Sequence, residues 1–405
     1  MHRGIFLFIA LMPVWAQKPG EVLPPWSPGM LDIHRISTGK GDAVLYIFPD
    51  GTTMLADPGA TGRQPPRVTA QRPDSSRTPG EWVVRYLRRM LPRGTEALDY
   101  ALITHFHGDH MGDVLPTSKA AASGKYRLTG ITEVGDAIPI RKLFDRNWPD
   151  YDYPAPITGP MMENYRAFTE AQKTTTGMQT ERFAPGRDDQ IVLLRDRAKY
   201  PGFEIRNIAA NGEIWTGLGT VTRAHFPPVK DTPRADRPSE NMCTIAFRLS
   251  YGKFDYFAGG DMPGIPDEGA PQWHDVETPV AKAVGPVDVA VLNHHGSIDS
   301  ENAFFLSALR PRVQVFSVWS PGQPGPRVWH RLLSKRLYPG PRDVFATNMH
   351  EAVKIVIPDM SAMKSEHGHI VIRVVAGGAQ YNVFILDDTA ETFKITAVHG
   401  PYESQ

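Results

Sequence analysis

Short apolar runs recur along the chain, and several stop abruptly at clusters of imidazole and carboxylate side chains. The run Leu98 to Ile103 ends at Thr104-His105-Phe106-His107-Gly108-Asp109-His110. Phe254 to Ala258 closes on Gly259-Gly260-Asp261, and Val287 to Leu292 closes on Asn293-His294-His295-Gly296-Ser297. Runs of this length, rich in β-branched and aromatic residues, predict strands. Near the start, Thr38-Gly39-Lys40-Gly41-Asp42-Ala43 leads into an alternating strand through Phe48. Pro49-Asp50-Gly51-Thr52 then predicts a hairpin turn, and the strand Thr53 to Ala56 ends in Asp57-Pro58-Gly59. Further strands are expected at Cys243 to Phe247, Val313 to Val318, Asp343 to Thr347, Val353 to Ile357, Ile370 to Val375 and Tyr381 to Leu386.

Helical spacing is clearest after Thr78. Thr78 as N-cap, Pro79 in the first turn and Glu81 three residues on form a capping-box signature. Trp82, Val83, Tyr86, Leu87 and Met90 then share one face, which reads as core. Asn164 to Lys173 reads as helical, and Ser300 is the expected cap of a helix running to Leu309, which Pro311 ends. The segment from 61 to 78, rich in Pro and Arg, reads as a loop. Residues 17–30 read as a Pro-rich lead-in. The body of the protein is expected over 31–405, with an insertion at roughly 130–235 between the first His-rich motif and the Gly-Asp motif. Its stretch Asn147 to Pro154, dense in aromatics and Pro, is expected near the site mouth, where loops on a rigid scaffold carry specificity.

Composition narrows the class. The chain has 405 residues, 41% hydrophobic and 22% charged, ample for a large core. Lys plus Arg and Asp plus Glu are both 44, so no global basic field supports nucleic acid as partner, although an anionic polymer stays within reach. Eight arginines lie between Gly62 and Gly94. They read as a solvated basic face, or as a collar for an anionic substrate beside the His-rich loop. Residues 1–16 read as a signal peptide, with Met1-His2-Arg3 as the charged start, an apolar core from Ile5 to Val14, and Ala16 before the cut. A periplasmic or secreted protein without a transmembrane segment after cleavage is expected. Cys243 is the sole cysteine, so no intramolecular disulfide forms, and a buried inert thiol is expected.

The chemistry is concentrated in the strand-end clusters. His105 and His107, two apart in extended chain, project to one side. Gly108 allows a sharp turn, and Asp109 and His110 return toward the same point. Imidazole and carboxylate donors suit zinc, and also iron or manganese. Asp261 at a strand tip is suited to bridge two metals, and His294 to close a second site. His295 and Ser297 would then face substrate or support the ligands, while Asp57 would orient one. His350, His367 and His369 have no site-like spacing and read as surface residues.

Taken in order, these motifs resemble the metallo-β-lactamase superfamily. Within it they are similar to the soluble metallo-hydrolase domain of ComEC-type competence proteins: TGKGDA, Asp57-Pro58-Gly59, His105 to His110, Glu240-Asn241, Gly260-Asp261 and His294 to Ser297. The resemblance implies a four-layer αββα fold with two zinc ions at the sandwich edge, held by His105, His107, Asp109, His110, Asp261 and His294. It implies hydrolysis by a metal-bound hydroxide, with Asp109 and His295 as catalytic residues and Asp57, Asn241 and Ser297 around them. Two departures stand out. A further His usual before the Gly-Asp strand is replaced by Glu240 or Asn241, with His225 as an outside candidate, and the Gly-His-Pro expected after the His pair is absent. The reading favoured is a secreted hydrolase of phosphodiesters, acting on a small molecule or an anionic polymer. A lactam, lactone or thioester hydrolase of the same fold and a non-catalytic extracellular binding module are the alternatives.

Overall fold

A computed structural model describes residues 17–405; the expected leader, 1–16, lies outside them. The chain first lays down β1 (Leu31–Arg35), β2 (Val44–Ile47), β3 (Thr53–Ala56), α1 (Pro79–Met90), β4 (Leu98–Leu102), α2 (Gly108–Met111), α3 (Gly130–Ala137), β5 (Ile140–Asp145), α4 (Pro160–Thr175) and β6 (Gln179–Arg182). It then builds β7 (Phe203–Ala210), β8 (Glu213–Trp215), β9 (Thr222–Ala224), β10 (Ala246–Tyr251), β11 (Phe254–Ala258), α5 (Glu277–Val284), β12 (Val289–Val291), α6 (Ala303–Leu309), β13 (Val313–Phe316), α7 (Pro326–Leu333), β14 (Asp343–Ala346), α8 (Glu351–Val356) and β15 (Met363–Ser365). It returns with β16 (His369–Val374), β17 (Gln380–Leu386) and β18 (Ile395–Glu403).

Two nine-stranded sheets result, in the orders β18-β17-β16-β1-β2-β3-β4-β5-β6 and β15-β14-β13-β12-β11-β10-β7-β8-β9. Alternation along the strands sorts side chains into layers. Ile33, Tyr46, Leu102, Phe247, Tyr256 and Val289 fill the seam between the sheets. Val83, Leu87, Ile131 and Phe168 from α1, α3 and α4 cover the outer face of the first sheet. Val280 and Phe305 from α5 and α6, and Val328 and Val353 from α7 and α8, cover the second. This is the four-layer αββα sandwich. The capping box at α1 forms as the sequence predicts, with Thr78 Oγ1 accepting from the Glu81 N–H and Glu81 accepting from the Thr78 N–H.

Topology positions the chemistry. β3, β4, β5 and β6 run parallel in the first sheet, and β11 to β15 run parallel in the second. Asp57, His105, Asp145, Asp261, Asn293 and Ser317 stand at or just past the carboxyl ends of β3, β4, β5, β11, β12 and β13. In open α/β sheets such ends leave a crevice where loops present polar groups.

Several expectations are corrected. Val353 to Val356 is helical, within α8, and Ile357 caps it; Val353 and Ile357, four apart, are buried while Ile355 and Val356 are exposed. Asn302, not Ser300, caps α6; its side chain accepts from the Phe305 N–H while Ser300 Oγ turns back to the Ser297 carbonyl. α4 starts earlier than read, at Pro160. Cys243 is buried but lies in a 3₁₀ turn, Asn241–Cys243, ahead of the strand. The stretch 130–235 is woven into the sandwich: β5 and β6 extend the first sheet and β7 pairs β10 in the second. His369 is buried and accepts from the Ser37 N–H, and His350 caps α8.

Candidate metal centre

His105, His107 and Asp261 bring ligand atoms within 4.8 Å of one another, as do Asp109, His110 and His295, and Asp42, Asp57 and His110. Two features of the first His-rich loop hold it there. Gly108 opens α2 with ordinary backbone angles. A Cβ on it would meet the Asp113 carboxylate at 2.0 Å, so it is close packing against that side chain, not the sharp turn read from sequence, that favours glycine here. Gly59 packs against the same loop, and a Cβ there would lie 1.8 Å from the Asp109 carbonyl oxygen.

Hydrogen bonding fixes the tautomers. His110 Nδ1–H donates to Asp57 Oδ2 at 3.0 Å, and His295 Nδ1–H donates to the Ser317 carbonyl at 3.2 Å. Thr104 Oγ1 donates to Asp57 Oδ2 at 2.6 Å and therefore accepts from His105 Nδ1–H at 3.2 Å. The three Nε2 atoms are left with lone pairs pointing inward. His110 Nε2 and His295 Nε2 face each other at 3.2 Å, and His105 Nε2 faces His107 Nδ1 at 3.1 Å. Asp261 lies between, with Oδ1 3.2 Å from both His110 Nε2 and His295 Nε2, and Oδ2 3.5 Å from His105 Nε2.

These donors fit metal ions. Lone pairs held face to face repel unless a cation or proton sits between them. Two nitrogens on a tetrahedral zinc at about 2.05 Å lie about 3.3 Å apart, which the paired imidazoles match. Asp261 Oδ1 and Asn241 Oδ1 are buried and make no hydrogen bond, which is costly without a partner. Within 4.0 Å, Asp261 has only histidines as cationic partners among the described residues. The donor set suits zinc and iron alike.

Burial and charge shape the titration. Burial and the neighbouring His110 hold His105 well below its ordinary value. For His110, burial acts downward, but the Asp261 and Asp57 carboxylates outweigh it and raise the imidazole well above the usual range, which favours a cation, proton or metal, at Nε2. Burial pushes Asp57 up, more than His110 and Thr104 pull it down.

Sequence reading and structure part at the His pair. The structure puts His295 in the cluster with Asp109 and His110. His294 Nε2 is 3.9 Å from Asp261 and 3.1 Å from Asn241 Nδ2, at the rim, with its Nδ1–H donated to Asp299 at 2.7 Å. Both take left-handed backbone, His294 at φ 44 and ψ 41, His295 at φ 54 and ψ 23, which inverts the order in which their side chains reach the centre. Ser297 continues the turn through its N–H to the His294 carbonyl. Glu240 faces away from the centre: its Oε1 accepts from the Phe106 N–H at 2.7 Å, and both oxygens bind the buried Arg146. His225 bonds the Asp275 carbonyl, outside the cluster.

Other residues around the centre were not singled out from sequence. Asp42 binds the buried Arg35 at 2.8 and 2.9 Å and accepts from Ser317 Oγ at 2.5 Å, beneath the carbonyl that orients His295. Its motif was visible; its role depends on Ser317, 275 residues away. Glu277 accepts from Asn293 Nδ2 and from the Glu301 and Asn302 N–H groups, while Glu301 accepts from the Asn293 N–H, anchoring the strained turn from below. Four of the eight arginines lie away from the centre. Arg85 pairs with Glu391, and Arg88, Arg89 and Arg93 line a cavity at the other end of the sheet. Among the described residues, no helix is long and apolar enough to cross a membrane.

No protein-family model and no curated protein sequence matches the chain. Among solved structures, it is similar to CmlA, a diiron β-hydroxylase from Streptomyces venezuelae, at 13% identity and TM-score 0.39, over 87% of this chain and 55% of that one. It is also similar to the metallo-β-lactamase fold protein YhfI from Bacillus subtilis at 12% identity and TM-score 0.37, over 78% and 96% of the two chains. A third similar structure is AbOPH, a hydrolase in the β-lactamase superfamily, at 16% identity and TM-score 0.28, over 60% and 65%. The chain spans about half the length of CmlA. These overlays are loose, and the αββα architecture rests on the chain's own sheets and layers.

Proposed function

We propose that the chain is a metal-dependent hydrolase acting on phosphodiesters, working outside the cytoplasm on a small molecule or an anionic polymer. The observation that carries this reading is the set of three buried imidazoles with Nδ1–H committed to fixed acceptors and Nε2 turned inward around Asp261. His105, His107 and Asp261 would hold one ion, and Asp109, His110 and His295 a second, with Asp261 shared. Bound divalent cations would lower the pKa of water toward neutrality and polarise the bond to be cleaved, and a pair can stabilise both the entering and the leaving oxygen of a phosphodiester.

The chain's own residues supply orientation and proton traffic. Asp57 and Thr104 lock His110 and His105 in one tautomer. His294 takes the role read for His295: about a quarter exposed and held through Nδ1–H by Asp299, it has an acceptor Nε2 that can take up a proton and pass it to a leaving oxygen. Asn241, with Nδ2 on His294 and Oδ1 unpartnered, positions substrate or completes the first ion's coordination where a His is missing.

The test is turnover of bis(p-nitrophenyl) phosphate by the chain loaded with zinc, manganese or iron, beside Asp109→Ala. Turnover that disappears in the variant and with chelator supports the reading. Metal-dependent cleavage of lactam, lactone or thioester substrates alone moves the reaction to carbonyl chemistry. Purification without stoichiometric metal and without turnover leaves a binding module.

A further inference from the structure

Opposite the metal centre, at the amino ends of the parallel strands, lies a cavity of about 1030 Å³. Its position follows from the topology. Asp32 and His34 sit on β1, which pairs antiparallel with β2 as β2 does with β3, so β1 runs parallel to β3 and β4. Thr95 and Glu96, which precede β4, line the same cavity, whereas His105 follows the far end of β4. The walls are apolar: Leu23, Pro24 and Trp26 of the lead-in face Met90, Leu91 and Ile138 from the helical layer.

The floor is polar and internally paired. Arg373 Nε and Nη2 bind Asp32 at 2.8 and 2.6 Å, which neutralises that pair. His34 is buried, with Nδ1 2.9 Å from the Tyr86 hydroxyl. Its Nε2 makes no hydrogen bond and stands 3.5 Å from Asp32 Oδ2. A lone pair pointed at a carboxylate would be repelled, so the Tyr86 hydroxyl donates to Nδ1 and Nε2 carries hydrogen. The Nε2–H is therefore aimed at the Asp32 carboxylate, and Asp32, His34 and Arg373 close the base of the apolar cavity as an internally paired polar group.

The mouth is cationic. Arg88, Arg89 and Arg93 line it, and Glu96 is the acidic residue beside them. Arg88 reaches the Ala137 carbonyl at 3.4 Å, while Arg89 and Arg93 make no hydrogen bond or ion pair with any described residue. We propose that this cavity is a second ligand site, independent of the metal centre, for an organic anion with an apolar body. The anion's charge lies in the field of Arg89 and Arg93, and the apolar body lies against Trp26 and Ile138. An apolar enclosure with a few convergent polar groups is the usual form of a small-molecule site.

Octanoate, its neutral counterpart octanamide, and inorganic phosphate test this by calorimetry on the metal-loaded chain. Octanoate is expected to bind one per chain, octanamide at least tenfold more weakly, and phosphate not measurably at the same concentrations. The exposed double variant Arg89→Ala/Arg93→Ala, which keeps the core intact, should weaken octanoate at least tenfold while metal content and turnover stay unchanged. Ile138→Trp, checked for folding by its thermal transition, should block the cavity. No saturable octanoate binding overturns the proposal. So does binding that is indifferent to the arginine pair, which would place the ligand elsewhere.

Discussion

The two ends of the parallel strands each bury an imidazole beside a carboxylate, yet they are built for different tasks. At the amino end Asp32 has a fixed counter-cation, Arg373, bound through two hydrogen bonds. Burial acts to raise Asp32, and Arg373 outweighs it, bringing the carboxyl down to about 2. At the carboxyl end no Lys or Arg approaches Asp261 within 4.0 Å among the described residues, and the surrounding imidazoles offer lone pairs. Residue type therefore does not distinguish the two clusters. What distinguishes them is where the compensating charge resides: in the chain at one end, and in a bound cation at the other.

The comparison is broken most directly by removing the acceptor of that cation. Asp261→Ala is expected to abolish stoichiometric metal, measured by elemental analysis, and to lower turnover by about a thousandfold or more. Chelation of the parent chain should also lower its thermal stability, by about 4 kcal/mol if metal was present at a thousand times its dissociation constant. Neither treatment should disturb Asp32. The reciprocal change, Asp32→Ala, leaves Arg373 buried and unpaired and should cost about 3–5 kcal/mol in denaturant unfolding, with bound metal per folded chain unchanged. Because the folded Asp32 carboxyl lies below its ordinary 3.8, its contribution is complete above that pH. It is lost as pH falls toward 2. Loss of metal from folded Asp32→Ala would show that the two ends are coupled.

The same contrast explains what was legible in the sequence. The strands around the centre were readable because each apolar run stops at a polar cluster, and His105, His107, Asp109, His110 and Asp261 stand in those clusters. The assignment between His294 and His295 was not readable. It turns on two left-handed residues held by Glu277, Asn293 and Asp299, and no local pattern announces a positive φ at histidine. Asp42 and Arg35 escaped because their partner, Ser317, comes from the other sheet. The strand read at Val353 failed because a six-residue helix shows too little periodicity to separate from a short strand. At the amino end, Asp32 and Arg373 are cross-strand neighbours 341 residues apart, so the ion pair exists only once β1 and β16 meet.

Smaller effects sharpen the comparison. Glu277, under the strained turn, is raised to about 7 by burial, which its three N–H donors only partly offset. Its folded value exceeds its ordinary 4.5, so the folded state holds the extra proton between these limits and stability falls as pH rises from about 4.5 to about 7. The fall should be about 3 kcal/mol, shared with the neighbouring Glu301 carboxyl, and Glu277→Gln should remove most of the slope in pH-resolved denaturant unfolding. An unchanged slope would place the titration elsewhere. The finest discrimination is between two hydroxyls. Thr104 Oγ1 bridges His105 Nδ1–H and Asp57, and the Tyr86 hydroxyl donates to His34 Nδ1. Thr104→Val and Tyr86→Phe should each cost about 1–3 kcal/mol by stranding a buried group. Only Thr104→Val should also weaken metal binding, by about tenfold to a hundredfold, because only there does the imidazole's other nitrogen serve a ligand site for a cation. Equal metal affinity in the two variants would mean that Thr104 merely fills space, and that Asp57 alone sets the imidazoles of the centre.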